Sequence, residues 1–172
     1  MKKSEGLILA VVAGLLTACS SVSTGGGGTA EVNFQSPEKF TDMARGYPET
    51  RGADEGYLLD LKEYIERNAS NRLPAGYTLA VTITDVDMAG QFEPERGPQL
   101  TDVRMVRSIY PPRINLAYRL TDAAGTVRSQ GDRQLRDSSF DMKLQPINRD
   151  DPLKYEKGLM DDFIRNIAQE AR

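Results

Sequence analysis

Asp85 and Asp87, on either side of Val86, are the clearest pair of side chains able to do chemistry in this chain. A spacing of two puts both carboxylates on one face of an extended strand. From there a pair can act as acid and base on a glycosidic bond, or hold a hard cation such as Ca²⁺. The surrounding residues have neither the run of oxygen ligands nor the twelfth-position Glu of a calcium loop. The plainer reading is a polar strand exit, in which Asp87 bonds the backbone of Met88-Ala89-Gly90 or pairs with an arginine. Asp150-Asp151 and Asp161-Asp162 are further acidic pairs, near and within the last expected helix.

Other chemistries are excluded by composition. The chain has no histidine and one cysteine, Cys19. Ser-His-Asp and Cys-His nucleophiles, thiolate metal sites and His-containing zinc sites all need residues that are missing. No catalytic residue, metal site or cofactor is therefore expected. The glycines at 25–28 precede a strand and lack the Lys-Ser/Thr continuation of a phosphate loop.

Arginine forms the second candidate cluster: Arg104, Arg107, Arg113, Arg119, Arg128, Arg133 and Arg136. An arginine-lined sheet face suits an anionic headgroup, a glycan or an acidic partner segment. Asp102, Asp122, Asp132 and Asp137 are interleaved with these arginines, so cross-strand ion pairs on a solvated face are the competing expectation. Tyr110-Pro111-Pro112 and Phe92 lie in a long loop, where partner contacts concentrate. The alternative is that both aromatics fold back on the core edge. The candidate contact set is Asp85, Asp87, Arg113, Arg119 and Tyr110.

These residues need a frame. Glu31 to Gln35 alternates as a short strand, stopped by Ser36-Pro37, and 42–53 reads as a loop. Tyr57, Leu58, Leu61, Tyr64 and Ile65 make a helical stripe that runs from Asp54, the candidate cap of its start, to about Asn71, where Pro74 and Gly76 terminate it. Tyr77 to Thr84 is the cleanest strand, rich in β-branched residues, and Ile114 to Leu120 alternates as strictly. Between them a long loop carries a short edge strand at Val103 to Arg107. Ala123-Ala124-Gly125 turns the chain into a returning strand, Thr126 to Leu135, which is read from the turn because its own apolar pattern is weak. After Asp151-Pro152, the residues Tyr155, Leu159, Phe163 and Ile167, with Met160 and Ile164, form a broad apolar helical face. The expected fold is α+β: a mostly antiparallel sheet of about four strands, with two amphipathic helices on one face.

The N-terminus reads as a leader. Lys2-Lys3 precede an apolar run from Leu7 to Leu16 and small residues before Cys19. Ten apolar residues are too few to span a bilayer, which takes about 20. Leu16-Thr17-Ala18-Cys19 resembles the bacterial lipobox. That resemblance implies cleavage after residue 18, lipid on Cys19, and two or three acyl chains, enough for stable anchoring. Residues 19–30 would form a Gly/Ser-rich tether with a reach of roughly 17–20 Å, and 31–172 a single domain. Loss of Lys2, Lys3 and Glu5 would take the formal charge from −3 to −4, which argues against a nucleic-acid partner. By resemblance to the sorting rule of enteric bacteria, Ser20 after the cysteine favours the outer membrane, facing the periplasm.

The folded part resembles the domain-of-unknown-function family 3016. The resemblance rests on Ser36-Pro37-Glu38-Lys39-Phe40-Thr41-Asp42, Asp85-Val86-Asp87-Met88-Ala89-Gly90, Pro112-Arg113-Ile114-Asn115-Leu116-Ala117-Tyr118-Arg119-Leu120 and Asp151-Pro152-Leu153-Lys154-Tyr155-Glu156-Lys157. It implies no activity, so no catalytic residue carries over. Phe163 departs from it, standing where a tryptophan-containing pair is expected. The expected role is a lipid-anchored, non-enzymatic accessory or binding domain of the envelope with a protein partner there. A carboxylate-dependent glycan hydrolase and a purely structural envelope protein are the alternatives.

Overall fold

A strand, a helix and a second strand parallel to the first open the fold. The computed structural model describes residues 27–44, 46, 52–143 and 147–171. Cys19, the leader and the first part of the expected tether lie outside the described residues. Strand β1 (Thr29–Phe34) leads through a 3₁₀ turn at Pro37–Lys39 to helix α1 (Glu55–Arg72), then to β2 (Thr78–Asp87). Asp54 caps α1 by accepting the Tyr57 N–H at 3.0 Å, and Leu73-Pro74 ends it. The cap and the proline stop stand where the sequence places them.

A two-stranded ribbon follows, β3 (Gln91–Phe92) with β4 (Arg104–Met105). The expected edge strand at 103–107 is thus shortened, and it pairs within its own loop rather than with the main sheet. Strands β5 (Arg113–Thr121) and β6 (Val127–Arg136) form the hairpin, and α2 (Lys154–Glu170) closes the chain. In the turn, the Asp122 carboxylate accepts the N–H groups of Ala124 and Thr126, both at 2.9 Å, while Gly125 takes φ +79°. That local bonding aligns β6 although seven of its ten residues are polar or charged and it forms an exposed edge.

The main sheet has the order β1-β2-β5-β6. Only β1 and β2 are parallel; the other two pairings are antiparallel. The α+β expectation therefore stands, with α1 supplying the crossover that a parallel pair requires. Val32, Leu79, Val81, Ile83, Ile114, Leu116 and Leu120 meet Leu61, Ile65, Met160, Phe163 and Ile164 in the core. Phe163 packs edge-on against Tyr118 with ring centroids 5.4 Å apart. No helix among the described residues is long and apolar enough to cross a membrane.

The first strand begins two residues earlier than expected, and the reason is close packing. Gly28 donates its N–H to the Leu73 carbonyl at 3.0 Å. A Cβ on Gly27 would come within 2.0 Å of the Ser70 carbonyl oxygen. Gly27, Gly28, Thr29 and Ala30, assigned to the tether from composition, belong to the folded domain. Glycine here admits a helix end, not only flexibility.

Candidate functional site

A bulge in β2 determines where the paired carboxylates point. Thr84 is an extra residue between the pairings Ile83 with Leu116 and Asp85 with Asn115. It resets the alternation so that Val86 enters the core while Asp85 and Asp87 face outward. Asp85 accepts the backbone N–H of Thr41 at 2.7 Å and its hydroxyl at 2.9 Å. Asp87 lies opposite Arg113 in the sheet register and accepts from its Nε at 2.9 Å and from its Nη2. Both carboxylates hold neighbouring structure.

The long loop is an ordered flap folded over this end of the sheet. Gly90, at φ +82°, donates its N–H to the Tyr110 carbonyl at 3.0 Å. Glu93, within the flap, is buried and bound by Arg96, by Arg107 at 3.0 Å and by the Tyr110 hydroxyl at 3.1 Å. Burial opposes the charge on Glu93, but those three donors outweigh it and hold the carboxyl below its usual range. Burial, and after it the contact with Glu93, pushes the Tyr110 phenol up. Phe92 is buried under the Arg104 guanidinium, 4.5 Å from the ring centroid, so it folds back as one of the two expectations had it. Arg104 binds Asp42 in bidentate fashion, at 2.6 and 2.8 Å, and reaches the carbonyls of Gly90 and Ala44, both at 3.2 Å. One side chain thus clamps the segment before α1 to the flap.

Between the flap and the sheet end lies a polar cleft of about 310 Å³. Thr41, Asp42, Asp87, Gln91, Tyr110, Arg113 and Arg136 supply its polar lining; Met88, Ile109 and Pro111 supply its apolar wall. Of the candidate residues, Asp87, Tyr110 and Arg113 come together here. Asp85 sits one layer back, behind Thr41. Arg119 does not join them: it borders a separate, shallower hollow of about 490 Å³ on the open sheet face, with Ala80, Thr82, Ala117 and Gln130.

The arginines find partners other than the expected ones. None of the four interleaved aspartates pairs with an arginine of the cluster among the described residues. Asp122 serves the turn, and Asp137 pairs with Lys143 at 2.7 Å. Arg104, Arg107 and Arg113 pair instead with Asp42, Glu93 and Asp87, while Arg133 donates to the Tyr118 hydroxyl at 2.9 Å and lies over its ring. The strand ladder sets the Arg113–Asp87 pair, whereas Asp42 reaches Arg104 from the segment before α1 and Glu93 meets Arg107 within the flap. Arg136, part of that cluster but not of the candidate set, stands directly across from Arg113.

Glu156 carried no sequence signal beyond its place in a charged helix. It is fully buried; one oxygen accepts the Ala89 N–H at 2.7 Å, between the cleft-lining Met88 and Gly90. Its other oxygen has no hydrogen-bond partner among the described residues. Burial, opposed by the Ala89 bond, pushes its pKa up to about 7. Its spacing from Leu159 and Phe163, with which it shares the core-facing side, was the one available hint.

No curated protein and no solved structure matches the chain. The family described as "Protein of unknown function (DUF3016)" matches residues 28–166, which include α1, most of α2, the four-stranded sheet and every residue of the cleft. The chain therefore belongs to the DUF3016 family.

Proposed function

We propose that this is a lipid-anchored cell-envelope protein whose domain is a binding module, rather than an enzyme, and that the cleft under the flap receives its partner. The cleft carries this reading: it brings Asp87, Tyr110, Arg113 and Arg136 to one end of the sheet beside a small apolar wall. Ordered loops on a rigid sheet are where binding residues concentrate. A two-carboxylate hydrolase needs an acid and a base free to meet substrate. Asp85 and Asp87 are each committed to a neighbour, so the binding reading is preferred.

The anchoring half rests on Leu16-Thr17-Ala18-Cys19 behind an apolar run, with Cys19 as the membrane attachment and the outer membrane, periplasmic side, as the location. Growth with labelled palmitate tests it. Label should enter the protein and vanish in Cys19→Ser, which should also leave the membrane fraction. Unlabelled wild-type protein would refute the anchor.

A further inference from the structure

Arg113 and Arg136 are register partners on the outer face of the β5–β6 hairpin, and both line the cleft. Directly paired residues hold their Cβ atoms about 4.5–5.5 Å apart, and like charges so placed are destabilising. The arrangement is not offset by nearby acids in full. Asp42 is spent on Arg104 and Asp87 on Arg113. Arg113 gives Nε and Nη2 to Asp87, leaving Nη1 without a hydrogen bond among the described residues, and its side chain is 55% exposed. Arg136 is exposed and makes no ion pair among the described residues.

We infer that Arg113 and Arg136 form a subsite for the carboxylate of a small organic acid or of a carboxylate-bearing chain. Two guanidinium groups facing one cavity supply planar, charge-assisted donors that match a carboxylate. Charge selects a monoanion over a phosphate dianion, because the two ion pairs cancel and Arg136 alone is left over. The wall of Met88, Ile109 and Pro111 then takes the attached carbon chain. Glu156 fixes the floor from behind through Ala89. This inference rests on the cleft being the binding site.

The test is an NMR titration of the full chain in detergent with acetate, butyrate and hexanoate, alongside phosphate and chloride at matched ionic strength. The Nε signals of Arg113 and Arg136 should shift and saturate with the carboxylates, more tightly as the chain lengthens, while chloride leaves them in place. A peptide with a free C-terminus, compared with its amide, separates a protein carboxylate from a free acid. Arg136→Gln should weaken butyrate at least tenfold without changing the amide spectrum elsewhere, because Arg136 holds no other residue; Arg119→Gln should change nothing. Shifts that chloride reproduces overturn the inference. So do cleft shifts at Gly90 or Gln91 that ignore Arg136→Gln, an outcome that leaves the cleft itself as a binding site.

Discussion

Glu156 reaches from α2 to the backbone N–H of Ala89 at 2.7 Å, tying the helix to the corner where β2 enters the flap. Its second oxygen is buried without a hydrogen-bond partner among the described residues, and Arg104 and Asp151 act on its charge in opposite directions. A carboxyl raised from 4.5 to about 7 binds a proton more tightly in the folded than in the unfolded chain. Its stabilising effect is complete below about pH 4.5 and is lost as pH rises through about 7. Urea unfolding should therefore show stability falling by about 3 kcal/mol across that window from this residue alone. Glu156→Gln keeps an acceptor for Ala89 and should flatten the slope, ending more stable than wild type at pH 8. Parallel pH profiles for the two proteins would contradict the assignment.

Gly90 sits at φ +82°, and a Cβ there would meet the Met105 carbonyl oxygen at 2.8 Å. Backbone lies on the other side of that contact, so relief requires β4 to move. Gly90→Ala should cost about 1–3 kcal/mol and free the flap, which limited proteolysis would report as new cuts between Gln91 and Ile109. Gly46→Ala, with nothing within 4 Å of its Cβ, is the control and should leave the cutting pattern unchanged.

The two edges of the sheet are treated differently. On the free side of β1, Val32 donates its N–H to Glu66 at 3.1 Å and accepts from Lys62 at 2.9 Å, so a helix side-chain pair occupies a site where another strand would dock. Replacing both with alanine should lower stability by about 1 kcal/mol and raise self-association. Light scattering during incubation near the melting temperature measures the second effect; an unchanged rate would show that the pair does not guard the edge.

Much of the frame was readable from residue order. The Asp54 cap, the proline stop after α1, the alternation of β2 and β5 and the apolar face of α2 are all local patterns, and each appears where expected. The turn at Asp122 located β6 although its residues are polar. Pairing between distant elements was not readable. The parallel join of β1 to β2 depends on α1 packing, and the bulge at Thr84 appears only in the register. Asp87, Tyr110 and Arg113 were singled out for their types and meet in the cleft, whereas Arg119 faces elsewhere. Arg136 was legible only as one arginine of a cluster and Glu156 only by its spacing from Leu159 and Phe163; the ladder and the burial gave each its place.

The cleft under the flap is where we propose that this domain meets its partner, and site-specific photo-crosslinking in membranes tests this most directly. A photoreactive residue at Ile109, on the exposed cleft rim, should give a discrete adduct that Arg136→Glu abolishes. The same residue at Glu31, on the outward face of β1, should give none. An adduct from Glu31 and none from Ile109, or an Ile109 adduct indifferent to Arg136→Glu, would contradict the account.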